Sequence, residues 1–199
     1  MTPGPVRDFA FGKKDAKGRI VNADVARALV TLACVIGAVH ATAQAPMLEA
    51  PNVVEISPRL VTSGQPSAKA LGMLKALRFD AVIDVASPTA PDSVADEPQI
   101  VTAQGLAYVD IPINFDEPSE ADFETFAAVL GALSKRKVLV HCRANFRAST
   151  LVFLYRAVVL KEDPHKAFEA VSGVWSPSPP WRKLVEEQLR KHNVAFEIF

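Results

Sequence analysis

Lys137-Val-Leu-Val-His-Cys-Arg-Ala-Asn-Phe-Arg-Ala-Ser-Thr-Leu151 is the stretch that decides the fold. Val138-Leu-Val140 is a short β-branched apolar run and reads as a buried strand. It ends in His141 and Cys142, a few loop residues follow, and a strongly apolar helix is expected from Ala148 to about Leu160. A strand that turns through a short loop into a helix aims loop amides at one spot, and the helix dipole adds partial positive charge there. Such a spot binds a tetrahedral oxyanion and favours the thiolate form of a cysteine beside it. Arg147 can grip two anion oxygens through its planar fork. Ser149 and Thr150 offer hydroxyls to the thiolate or to free amides at the helix start. His141, one residue before the cysteine, is expected on the opposite face of the strand, ordering the loop through hydrogen bonds.

Outward from this segment, strand-like and helix-like stretches alternate. Val53-Val-Glu-Ile56 and Leu60-Val-Thr62 read as short strands around Pro58. Ser67 caps a helix expected to run to about Arg78, with Leu71, Leu74 and Leu77 recurring on one side. Phe79-Asp-Ala-Val-Ile-Asp-Val85 and Ala107-Tyr-Val-Asp-Ile111 are further strands, with a short helix over 97–104 between them. Helices follow from Ser119 to about Ser134, from Asp163-Pro164 to near Trp175, and from about Pro180 to His192. This order implies an α/β fold with a central, mainly parallel sheet flanked by helices.

The 199 residues carry 22 basic and 22 acidic side chains, which gives no electrostatic footprint for nucleic acid. The balance hides a boundary. Residues 1–43 hold six basic and three acidic groups, all before Ala28–Val39, twelve residues with only Thr31 polar. His40-Ala-Thr-Ala-Gln-Ala-Pro46 comes next. Positive flank, short apolar run and small residues make the order of an export signal, with the cut after Ala43. Residues 1–43 are therefore expected to be an export signal or tail and 44–199 the catalytic domain, placed in the periplasm or outside the cell. A buried or amphipathic N-terminal helix on a cytoplasmic protein is the alternative. The apolar run is shorter than the roughly 20 residues a spanning helix needs, so no stable membrane insertion is expected after processing. Cleavage would remove Cys34 and leave Cys142 as a lone thiol. His165 and His192 lack metal-ligand spacing, and no cofactor or metal is implied.

At Val140-His-Cys142 and Ser149 the sequence resembles the cysteine-dependent phosphatases, the dual-specificity and protein-tyrosine group and their bacterial relatives. The signature of that group is His-Cys-x5-Arg-Ser/Thr. Thr62-Ser-Gly-Gln-Pro-Ser67 and Trp175-Ser-Pro-Ser-Pro-Pro-Trp181 are similar to a bacterial branch, and the resemblance spans about residues 52 to 192. It implies a dual-specificity-phosphatase-like fold, a phosphocysteine on Cys142, and an oxyanion held by Arg147. Arg143, Ala144, Asn145, Phe146, Ala148 and Ser149 would surround that oxyanion. Asp116, in the loop Asp110-Ile-Pro-Ile-Asn-Phe-Asp-Glu-Pro118, would be the general acid, with Glu117 and Asp110 behind it. The implied substrate is a phosphorylated protein or a small phosphomonoester.

One departure stands out. The family's arginine lies six positions after the cysteine, where this chain has Ala148; Arg147 comes one residue early, and the loop has no glycine. Either the loop is one residue shorter, or Arg147 reaches in from the neighbouring position. Cys-x4-Arg is also the loop length of rhodanese-type sulfurtransferases, which makes sulfur transfer the rival reading; a catalytically weak phosphate-binding domain is the third. Trp175 and Trp181 read as packing anchors, and Ser63 and Gln65 as turn residues.

Overall fold

The computed structural model describes residues 47–87 and 89–198. The expected N-terminal signal lies outside them. A five-stranded sheet runs in the order β1-β2-β5-β3-β4, where β1 is Val54–Ser57, β2 Leu60–Ser63, β3 Ala81–Asp84, β4 Ala107–Asp110 and β5 Val138–His141. β1 pairs antiparallel with β2 and every other pairing is parallel. The helices are α1 (Ala68–Leu71), α2 (Glu97–Thr102), α3 (Glu120–Ala132), α4 (Phe146–Leu154), α5 (Pro164–Ser172) and α6 (Pro179–Lys191), with a π-helical turn over Tyr155–Val159. The α/β architecture with a mainly parallel sheet is as the alternation of segments implies.

The two faces of the sheet explain why β5 is buried throughout and apolar up to His141. Val138, Val140 and Cys142 face one core with Ile83, Phe126, Leu151 and Trp181. Leu139 faces the other with Val61, Leu71, Leu74 and Val82. A central strand covered on both sides has no polar-out positions to fill. Burial on this scale makes each core leucine worth about 2–5 kcal/mol against alanine. The crossover through α1 and α2 lies on the second face and the one through α3 on the first, so the carboxyl end of β5 lies at the switch point where ligands bind in such sheets.

Two helices differ from the expectation. The segment after Ser67 is one helical turn, not a helix to Arg78. Its leucines recur at every third residue, and the chain continues as turns, with N–H to O(i−3) bonds at Met73, Leu74 and Arg78 and an i−4 bond at Leu77. Before α4 the chain enters the helix two residues early, at Phe146, because Asn145 takes a left-handed backbone (φ 67°) that turns it directly upward. The far end of α4 widens, with Leu160 N–H bonding Tyr155 O five residues back. Ser119 caps α3 as expected, in a reciprocal capping box with Asp122 worth about 1 kcal/mol.

Candidate active site

Cys142 follows the last residue of β5, 1% exposed, its N–H directed at Ser63 O (3.3 Å). The loop after it is only Arg143-Ala-Asn145, and it is held from behind. Gly64 forms a bridge with Ala144, Gln65 N–H bonds Arg143 O (3.0 Å), and Asn52 Nδ2 donates to Ala144 O (3.1 Å). A Cβ on Gly64 would lie 2.9 Å from Arg143 O, so the loop rests against a position that only glycine fits. The loop's own lack of glycine is made good by Asn145. Its left-handed backbone is fixed by Nδ2 bonds to Asn52 O (2.6 Å) and Thr62 Oγ1 (3.0 Å).

Cys142, Arg143, Ala144, Phe146 and Arg147 line one cavity of about 920 Å³. Residues 112–115 form its second wall, and Ser87, Thr89, Ala90, Pro91 and Asp92 its third. Arg147, in the first turn of α4 and 6% exposed, donates from Nη1 to Ile113 O (2.8 Å). Its guanidinium lies 5.7 Å from the Phe115 ring, and its buried Nε has no protein partner. Arg147 therefore reaches the cavity from a position one residue nearer the cysteine than in the family signature, and Arg143 lines the cavity beside it. Ala148, six positions after the cysteine, is wholly buried.

Several expected contacts are absent. Asn145, Ala148 and Ser149 do not line the cavity: all three are fully buried, Asn145 with its amide turned backward. The Ser149 and Thr150 hydroxyls bond Phe146 O (3.2 and 2.9 Å) and not the cysteine, since an in-helix hydroxyl reaches the carbonyl of the preceding turn most easily. Asp116 is exposed just beyond the wall formed by 112–115, its N–H bonded to Asn114 Oδ1 (3.1 Å). The carboxylate on the wall is Asp92, which sequence reasoning passes over. It pairs with Arg143 at 2.7 Å, with both side chains more than half exposed. Ser63 and Gln65 stay off the cavity, but not as turn residues: Ser63 ends β2, and the Gln65 side chain is buried against Glu97 (2.6 Å).

Aromatic packing fixes the second wall. Phe146 stacks on Trp175 (4.7 Å, 2°), while Phe115 lies between Trp175 and Trp181 at 5.8 and 6.1 Å. Trp181, fully buried, donates to Phe115 O (2.8 Å). Both tryptophans are anchors, and what they anchor is the loop that meets Arg147.

Behind the cysteine, on the other sheet face, lies a polar row. Ser63, His141, Asp84 and Asp110 end their strands in one register across β2, β5, β3 and β4. Glu97, opening α2 and 2% exposed, faces this row, its Oε1 2.7 Å from His141 Nε2 in a close but poorly aligned charge contact. Nδ1 of the same ring lies 3.8 Å from Asp84 Oδ1. Burial works against the charged form of His141, but Glu97, Asp84 and Asp110 outweigh it and hold its pKa above the ordinary value. Burial also raises the Asp84 carboxyl, which His141 only partly offsets. Asp84, Glu97 and His141 bring ligand atoms within 4.8 Å of one another. Each ring nitrogen has a carboxylate oxygen near it, an arrangement that suits an imidazolium. His141 faces away from Cys142, as strand alternation requires; Glu97 carries no signal in the sequence.

Residues 38–179 match the family described as DSP-PTPase phosphatase fused to NAD+ kinase. The chain belongs to this family. Among solved structures, a DUF442 protein of Shewanella putrefaciens CN-32 described as a phosphatase is 29% identical, with a TM-score of 0.67, covering 72% of this chain and 95% of that one. Two more distant structures share the fold. TpbA of P. aeruginosa, with a cysteine replaced by serine and in complex with pTyr, is 20% identical (TM-score 0.57; 76% of this chain, 96% of that one). PTPMT1 in complex with PI(5)P is 15% identical (TM-score 0.59; 71% and 96%). No curated protein matches the sequence. As a member of this phosphatase family the chain is a cysteine-dependent phosphomonoester hydrolase, and the sulfurtransferase alternative falls away.

Proposed function

We propose that the protein hydrolyses monophosphate esters carried on an aromatic or apolar body, with Cys142 as nucleophile and Arg147 as oxyanion clamp. The observation that carries this reading is the buried Arg147 Nε, a donor without a protein partner on the wall that holds the cysteine. A buried donor of this kind is costly to leave unmade and well matched to an equatorial phosphoryl oxygen. Cys142 Sγ attacks phosphorus, the bond to the leaving oxygen breaks, and that oxygen takes a proton. Water then attacks the phosphocysteine, releasing phosphate and the thiolate. With Cys142 as thiolate and the acid protonated, Arg143 and Arg147 leave the cavity a single net positive charge, which suits one phosphate better than several. Pro91, Pro112, Ile113, Phe115 and Phe146 supply apolar wall for the rest of the substrate, phosphotyrosine being one ester of that kind.

The proton for the leaving oxygen is assigned to Asp92, the wall carboxylate, with Asp116 as the second candidate because it directly follows the lining residues. Asp92→Asn should lower turnover of phenyl phosphate by roughly 10²–10⁴ and that of p-nitrophenyl phosphate much less, since nitrophenolate leaves without a proton. The same pattern from Asp116→Asn, with Asp92→Asn near wild type, would transfer the role to Asp116. Equal loss on both esters from either variant would mean that the side chain binds substrate and donates no proton.

We also propose export to the periplasm or beyond, on the strength of the basic flank, the Ala28–Val39 apolar run and Ala41-Thr-Ala43. The intact mass of protein recovered from a cell envelope fraction should correspond to a chain beginning at Gln44. Full-length protein in the cytosol would refute export.

A further inference from the structure

We propose that Glu97 is a positioning residue for the nucleophile, its one carboxylate tying together the residues that fix the chain on either side of Cys142. The proposal rests on Cys142 as nucleophile and adds a residue that touches neither substrate nor thiol. Oε1 lies 2.7 Å from Nε2 of His141, the residue before the cysteine. Oε2 accepts from Gln65 Nε2 at 2.6 Å, and Gln65 N–H in turn holds the carbonyl of Arg143, the residue after it. Glu97 is 2% exposed and belongs to a separate element, the first turn of α2, so the tie is long-range and out of reach of water. Water would replace either partner of a surface pair; a buried carboxylate spanning two partners has no substitute when removed. The groups facing His141 are Glu97 from α2, Asp84 from β3 and Asp110 from β4, with the Tyr108 hydroxyl against Asp84. Arg143, Arg147 and Asp92 are the charged groups on the cavity side.

Glu97→Gln keeps the size of the side chain and removes its charge. Taken alone, loss of a nearby negative charge would make the thiolate easier to form and move the alkylation midpoint of Cys142 down. Loss of positioning does the reverse, because the chain on either side of the sulfur, at His141 and Arg143, is no longer held in place before α4. The experiment follows p-nitrophenyl phosphate turnover and the pH dependence of iodoacetamide alkylation of Cys142, in the wild type and in Glu97→Gln. The expected result is kcat down by about tenfold or more with KM changed less than about threefold, and an alkylation midpoint about one pH unit higher. Should Glu97→Gln fail to fold, Gln65→Met cuts the other half of the tie without touching the charge and should move both readouts in the same directions. A midpoint that is unchanged or lower, or a kcat within about twofold of wild type, would overturn the proposal and leave Glu97 as a packing residue. Cys142→Ser measured alongside separates the two levels, since a fully active Cys142→Ser would remove the nucleophile reading itself.

Discussion

Cys142→Ser is expected to lose phosphomonoester turnover by roughly 10⁴-fold or more, because among the described residues no other group lining the cavity is an activated nucleophile. The other residues on the cavity wall are hydroxyls, an amide, two guanidiniums, one carboxylate and apolar groups, and no histidine stands by to activate Ser87 or Thr89 as a base would. Serine at 142 would meet the same difficulty: its hydroxyl lacks a proton acceptor, and His141 points to the opposite face of the sheet. The cavity itself should survive. Cys142 is 1% exposed and oxygen is smaller than sulfur, so inorganic phosphate should still bind to Cys142→Ser with a Kd close to that of wild type. Trapping labelled substrate in acid should show phosphate on wild-type Cys142 and none on the variant. Residual turnover above about one per cent would place the nucleophile elsewhere.

Arg147→Lys should cost roughly 10²–10³ in kcat/KM although the charge is kept. The guanidinium divides its donors: Nη1 is bound to Ile113 O at 2.8 Å, while Nε is buried and has no protein partner. An ammonium cannot serve a backbone carbonyl and two phosphoryl oxygens in one plane. It would also give up the face of Phe115, which lies 5.7 Å from the guanidinium. Because the Ile113 contact is to the loop that forms the second wall, the loss should fall on kcat as well as KM. Steady-state kinetics on p-nitrophenyl phosphate measures the split. A variant within about threefold of wild type in kcat/KM would show that loop amides alone hold the oxyanion.

How legible the molecule is from its sequence depends on the range of the forces involved. The strand from Val138, the turn at Cys142 and the capped helix at Ser119 are set by neighbours within a few residues, and the pattern of apolar and capping residues displays them directly. The helix after Ser67 is shorter than its pattern suggests because a spacing of three residues fits a row of tight turns better than a 3.6-residue repeat. Asn145, Ala148 and Ser149 surround the anion only by analogy with a longer loop; here Phe146 and Arg147 face the cavity while these three are buried. Asp92 and Glu97 escape a sequence reading for another reason. Each acts through a partner distant in sequence, Arg143 for one, His141 and Gln65 for the other, and no local pattern encodes such a pairing.

The aromatic packing beside the cavity gives the protein an optical property. Trp175 and Trp181 are its only two tryptophans, and both sit in van der Waals range of Phe115. One indole lies flat on Phe146, at the flank of the oxyanion loop; the other holds the Phe115 carbonyl. Emission excited at the indole band therefore originates wholly at this wall, with no background from the rest of the chain. Any ligand that displaces the 112–115 segment writes its occupancy into the colour and intensity of the unlabelled protein, a private channel through which the site can be watched while it works.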